Sequence, residues 1–157
     1  MSLINGTWTG PIIDNHFHLN RNGRFLSAAE DFKNSGGTGL ILVHCPNFKS
    51  PPITSLGHKE SYSDTILMAE QVRKKLDIDV RVVLGPHPAA FAHQFESWFI
   101  ESGEKGAQKA IENYNDSIEI AINFCHEGKA VAIGEVGRPH WNAPKEVLEL
   151  SNMLLEE

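Results

Sequence analysis

Two histidines separated by a single residue, His16 and His18, form the part of this sequence best suited to chemistry. They close the run Pro11-Ile12-Ile13-Asp14-Asn15-His16-Phe17-His18-Leu19, whose β-branched and aromatic content reads as a strand. Side chains alternate across a strand, so both imidazoles point to one side with Ile12 and Asp14, while Ile13, Phe17 and Leu19 face the other side and are expected to pack beneath helices. Two nitrogen donors converging in this way suit a divalent cation such as zinc, with manganese, magnesium or iron as alternatives. A chain with eight histidines also produces such a pair by chance, so the spacing alone leaves a purely structural pair open.

Glu135 adds a third donor. It lies in Ala130-Val131-Ala132-Ile133-Gly134-Glu135-Val136-Gly137, a stretch so apolar that a carboxylate near its end is costly unless it is paired or bound to a cation. Arg138 is the nearest candidate for an ion pair, and metal ligation is the other reading. His87, in Gly85-Pro86-His87-Pro88, and His140, in Gly137-Arg138-Pro139-His140-Trp141, each follow a predicted strand. From the rim of the same face they could bind substrate or orient a nucleophile, or they could make ordinary loop hydrogen bonds. His44 stands in the same relation to the second strand, whereas His58, His93 and His126 lack a strand-end context and read as surface or capping residues.

The elements that must position these groups alternate between short apolar runs and longer helical patterns, which signals βαβ units and a parallel sheet, hence an α/β fold. After the first strand, Ser27-Ala28-Ala29-Glu30 resembles a capping box and predicts a helix from about Ala28 to Gly36-Gly37. The second strand reads Thr38 to Cys45, apolar on both faces as a covered parallel strand should be. A helix over roughly Asp64 to Leu76 carries Met68, Ala69, Val72 and Leu76 on one stripe, with Arg73, Lys74 and Lys75 at its negative dipole end. The third strand follows as Asp79 to Gly85. A helix of about Ala107 to His126 places Ala110, Ile111, Tyr114, Ile118, Ala121, Ile122 and Cys125 at helical spacing, stops at Gly128, and leads to a fourth strand over Ala130 to Val136. Pro144 opens a last helix.

Two connections, Pro46 to Ser63 and Pro86 to about Gly106, are longer than βα loops usually are. Both follow strand C-termini, the binding end of parallel α/β folds, so they are candidate walls or lids. Phe91, Phe95, Trp98 and Phe99 could form a short amphipathic helix there or simply anchor a surface excursion. The sequence ends inside the last helical pattern, at Met153-Leu154-Leu155-Glu156-Glu157, without a stop signal. Four βα units are half of an eight-unit barrel of about 250 residues, so residues 1–157 read as one domain, the N-terminal half of such a barrel.

A formal charge of −6, from 14 basic and 20 acidic residues, argues against an extended duplex-binding surface while leaving room for a small or short nucleic-acid substrate held locally. Cys45 and Cys125 lie far apart without metal or disulfide spacing, which points to a reducing cytoplasm. No signal-peptide pattern opens the chain and no apolar run approaches a membrane span.

The motifs resemble the TatD-related branch of the amidohydrolase superfamily, particularly its archaeal-type hydrolases. The resemblance runs through Ile13-Asp14-Asn15-His16-Phe17-His18, Gly85-Pro86-His87-Pro88 and Ala132-Ile133-Gly134-Glu135-Val136-Gly137-Arg138-Pro139-His140. It implies a TIM-type (β/α)8 barrel and a one- or two-metal site in which His16 and His18 hold one ion, Glu135 bridges or caps a second, and metal-bound hydroxide attacks a phosphoester or a related ester or amide. Glu135, His87, His140 and Arg138 are the candidate catalytic residues, and DNA-directed nucleases are among the relatives. Family members draw further ligands from strands five, six and eight, the last supplying a proton acceptor, and this chain contains none of them. The isolated chain is therefore expected to be inactive or weakly active. A phosphoesterase of the polymerase-and-histidinol-phosphatase type also opens on a His-x-His strand, and a non-catalytic half-barrel or a complete doubly wound domain are the other readings. A half-barrel leaves edge strands and inner apolar faces open, so self-association is expected.

Overall fold

The computed structural model describes residues 3–156, beginning with a two-stranded antiparallel hairpin of β1 (Leu3–Ile4) and β2 (Thr7–Trp8). Asn5 and Gly6 between them both take positive φ, 50° and 78°, the backbone that a two-residue hairpin turn demands. The main sheet is parallel throughout and its strand order follows the chain: β3 (Ile13–Phe17), β4 (Gly39–Val43), β5 (Asp79–Leu84) and β6 (Ala132–Ile133). Helices α1 (Phe25–Asn34), α2 (Ser55–Leu76), α3 (Pro88–Ser102), α4 (Glu104–His126) and α5 (Lys145–Glu156) complete the α/β architecture expected from the alternation of patterns. No helix among the described residues is long and apolar enough to cross a membrane. Cys45 and Cys125 are free thiols.

The core follows from the apolar strands. Leu40 and Leu42 of β4 and Val80, Val82 and Leu84 of β5 are almost wholly buried against Ala69, Val72 and Leu76 of α2 and Ala121 and Phe124 of α4. A second cluster, Phe91, Ala110 and Tyr114 with Phe95 and Trp98 against it, joins α3 to α4. These helices approach so closely that a Cβ on Gly106 would lie 1.8 Å from the carbonyl oxygen of Trp98. The segment after β5 is thus a packed 15-residue helix, and of its aromatics Phe99 alone is largely exposed.

Several boundaries differ from the sequence reading. Helix α1 starts at Phe25, not Ala28, and Ser27 donates to the Arg24 carbonyl without capping anything, because the chain turns into the helix three residues before the capping-box pattern. Helix α2 begins at Ser55, where Thr54 accepts from the Gly57 amide as N-cap, so the connection after β4 spans residues 44–54. Ile13 is 57% exposed and does not pack beneath a helix: β3 is an edge strand, its register shifts between Asp14 and Phe17, and only Phe17 and Leu19 reach the core. The fourth strand contracts to Ala132–Ile133, both exposed, because β6 has a neighbour on one side only and the backbone leaves the sheet at Gly134.

Candidate metal centre

His16 is the penultimate residue of β3, His18 lies just beyond the strand, and Glu135 two residues past β6, all at the C-terminal end of the sheet. β3 and β6 are the outermost strands, with β4 and β5 between them, so these side chains meet only because the sheet curls. His16 Nε2 stands 3.0 Å from Glu135 Oε1 and 3.2 Å from His18 Nε2, and His18 Nε2 is 3.8 Å from the same Oε1. Ligand atoms of the three residues all fall within 4.8 Å of one another.

Local structure prepares each group. The Asp14 carboxylate accepts from the His16 amide, 2.9 Å, shaping the strand end where the register shifts. His18 donates its Nδ1–H to the Val43 carbonyl, 2.9 Å, which leaves the lone pair on Nε2, the nitrogen that faces the cluster. Gly134 is pressed so close to Val83 that a Cβ there would lie 2.3 Å from Cγ1, and Glu135 then takes φ +57°, a left-handed conformation unfavourable for a side-chain-bearing residue. That turn swings the carboxylate back over the sheet end, where its side chain is 17% exposed and Oε2 is buried without a hydrogen-bond partner. A bare imidazole nitrogen, a second imidazole and a carboxylate oxygen, Oε1, facing both are a donor set that fits a zinc-like cation.

His87 also reaches the cluster, with Nε2 3.8 Å from Glu135 Oε2. It is the N-cap of α3, its Nδ1 accepting the Ala89 amide at 3.0 Å, and the ring meets Phe48 edge-on at 4.9 Å. Burial holds its pKa below the ordinary histidine value, opposed by the Glu135 carboxylate. His140 is exposed and packs against Trp141, and Arg138 is exposed; neither has a hydrogen bond or ion pair to His16, His18 or Glu135 among the described residues. The Arg138 ion pair considered for Glu135 is therefore not formed, and histidines take its place.

Phe48 and a polar cluster behind His87 escaped the sequence reading. His58, read there as a surface or capping residue, is buried on α2 and bonded to Asn113 Oδ1 at 3.0 Å, because α2 extends far enough N-terminally to carry it against α4. Asn113 and Gln94 both donate to the Pro52 carbonyl, pinning the loop that bears Phe48, and Tyr62 pairs with Ser117 at 2.6 Å. Thr54 as an N-cap, with His58 and Tyr62 four residues apart on one helix face, was the available signal. The cluster leaves a cavity of about 30 Å³ between His44, His58, Tyr62, His87 and Asn113, space for about one water.

His44, bonded to Thr65 at 2.8 Å, is pushed down to about 3 by burial and by the neighbouring His58, His18 and His87. The fold therefore binds His44 neutral, while the unfolded chain takes up the proton below the ordinary value of 6.5. Its contribution is complete above pH 6.5 and declines by about 1.4 kcal/mol for each unit of acidification until the folded pKa is reached. Urea unfolding at pH 7 and pH 5 should show the wild type losing about 2 kcal/mol more than His44→Gln, and parallel losses would remove His44 as the cause.

Comparison with known proteins agrees with these motifs. Residues 13–157 match the family model described as TatD related DNase. The chain is 26% identical over 149 residues to the uncharacterized protein MJ1127 of Methanocaldococcus jannaschii, an alignment covering 93% of this chain and 49% of that relative, so the chain spans about half the length of the curated relative it matches. No solved structure matches the chain significantly. With the family model covering nearly its whole length, the chain belongs to the TatD related DNase family.

Proposed function

We propose that residues 1–157 are the N-terminal half of a metal-dependent hydrolase barrel, in which His16, His18 and Glu135 hold a divalent ion, zinc first among candidates, and the substrate is a phosphoester such as that of a short nucleic acid. The observation that carries this reading is the convergence of two imidazole nitrogens and a carboxylate from opposite sheet edges, their ligand atoms within 4.8 Å of one another. A bound ion would supply Lewis acidity toward a phosphoryl oxygen and toward water. In this proposal His87, His140 and Arg138 stand on the substrate side, at the C-terminal face where barrel enzymes keep their chemistry. Sites for a second ion and for the general base belong to the other half of the barrel, so activity is a property of the whole.

Elemental analysis of the purified chain beside a His16→Ala, His18→Ala double variant tests the metal site. Near-stoichiometric zinc, manganese or iron in the wild type and none in the variant is the expected result. If the four ligands of a structural zinc site share about 10–16 kcal/mol evenly, each is worth about 3 kcal/mol, and losing two should weaken binding by roughly 10⁴-fold. Equal metal in both proteins would refute the assignment.

One structural observation favours a companion reading, that the isolated chain self-associates. Ile12 and Ile13 at one sheet edge, and Val131, Ile133, Met153 and Leu155 near the other, are all more than a third exposed. Sedimentation equilibrium should show a mass that rises with concentration, and a monomer mass at every concentration would end the idea.

A further inference from the structure

His18 and His87 face the same carboxylate, but the backbone treats their rings in opposite ways. At His18, Nδ1 meets a carbonyl, an acceptor, so Nδ1 carries the proton and Nε2 is bare. At His87, Nδ1 meets the Ala89 amide, a donor, so Nδ1 must be bare and a neutral ring carries its proton on Nε2. The alternative tautomer would set two N–H groups against each other at 3.0 Å and leave the first turn of α3 uncapped. The ring has little freedom to escape this choice: Pro86 and Pro88 flank it, Phe48 abuts it, and its side chain is 19% exposed.

We propose that His87 is a positioning residue, a fixed Nε2–H donor to Oε2 of Glu135, and neither a metal ligand nor a base. The carboxylate is already divided in this way, with Oε1 turned to His16 and His18 and Oε2 buried on the His87 side at 3.8 Å from Nε2. With Oε1 committed to a cation, closing that gap by about 0.9 Å would give an ordinary N–H···O hydrogen bond to the oxygen that otherwise lacks a partner. Ligation by His87 would need a lone pair on Nε2, which the helix cap denies. Proton abstraction at the site would need the same lone pair. The capping bond of α3 thereby decides the orientation of Glu135, so that Oε1 alone is offered to a cation, and this division of labour rests on the metal reading above.

Long-range proton–nitrogen spectra of the ¹⁵N-labelled chain test the proposal, with the His87 signals assigned by their loss in His87→Gln. The metal-free protein should show the proton on Nε2 of His87 and on Nδ1 of His18. Added zinc should shift Nε2 of His18 as a coordinated nitrogen and neither nitrogen of His87. Zinc affinity should fall about 10–100-fold in His87→Leu and recover part of that loss in His87→Gln, whose amide can still donate. A proton on Nδ1 of His87, or a coordination shift at its Nε2, would overturn the assignment. Zinc that shifts neither His16 nor His18 would instead refute the metal centre, and the metal-free spectrum would then decide the His87 tautomer by itself.

Discussion

Glu135→Gly is expected to make the metal-free chain more stable by about 1–2 kcal/mol and, at saturating zinc, to leave it less stable than the wild type. A side-chain-bearing residue in the left-handed region costs roughly 1–2 kcal/mol, and a buried oxygen without a partner costs about 1–3 kcal/mol. Glu135 incurs both in the metal-free chain, at φ +57° and through Oε2, which stands 3.8 Å from His87 Nε2, too far for a hydrogen bond. Against these stand the 3.0 Å bond to His16, worth about 1 kcal/mol, and the larger unfolded-state entropy of glycine, about 0.5–1 kcal/mol. Zinc at a thousand times its dissociation constant adds about 4 kcal/mol to a protein that binds it only when folded, and the variant forgoes most of that. Urea unfolding in chelator and in zinc reads both signs. A variant less stable than the wild type in chelator would mean that Glu135 is a structural anchor, and the strain would have to be assigned elsewhere.

Gly106→Ala should destabilise the fold by about 3 kcal/mol, a large share of the roughly 5–15 kcal/mol that holds a domain together. The added methyl would lie 1.8 Å from the oxygen and 2.3 Å from the carbon of the Trp98 carbonyl. Both are backbone atoms, so no side chain can rotate away, and α3 must separate from α4. That movement opens the Phe91, Ala110 and Tyr114 cluster and loosens the helix that His87 caps. Gly128→Ala provides the comparison: its φ is +70° but nothing lies within 4 Å of the new methyl, so about 1 kcal/mol is expected. Equal urea midpoints for the two variants would show that the helix pair yields more easily than its geometry implies.

The parts of the fold legible in the sequence are those where one residue type dominates its surroundings. Leu40, Leu42, Val80 and Val82 announced covered parallel strands, and the stripe of Met68, Ala69, Val72 and Leu76 announced the C-terminal half of α2. The N-terminal half of that helix, Ser55-Leu56-Gly57-His58-Lys59-Glu60-Ser61, has no apolar period; it is held by polar contacts from afar, Ser55 to Asp116, His58 to Asn113 and Tyr62 to Ser117. Apart from the Thr54 cap and the four-residue spacing of His58 and Tyr62, no local pattern encodes such contacts, and His58 reads as a surface or capping residue for that reason. At the site, the two-residue period of β3 brought His16 and His18 to notice, and the apolar setting of Glu135 marked it as unusual. Their meeting depends on the curl of a four-stranded sheet and on one left-handed residue, neither of which spacing reveals. The family resemblance supplied what periodicity could not, and the family match bears it out.

The strand order of the main sheet, identical to the order of the chain, bears on synthesis. Each strand after β3 pairs with one the ribosome has already released, so each has its partner in place when it emerges. The nascent chain can add strands one after another, closing each pairing over one helix, or over two between β5 and β6, before the next begins. His16 and Glu135 are 119 residues apart, so at about 5–20 residues per second Glu135 emerges roughly 6–24 s after His16. During that interval the two histidines stand at the β3 edge, opposite the side on which the sheet grows, with no Glu135 carboxylate beside them, and a cation captured then would be held without it.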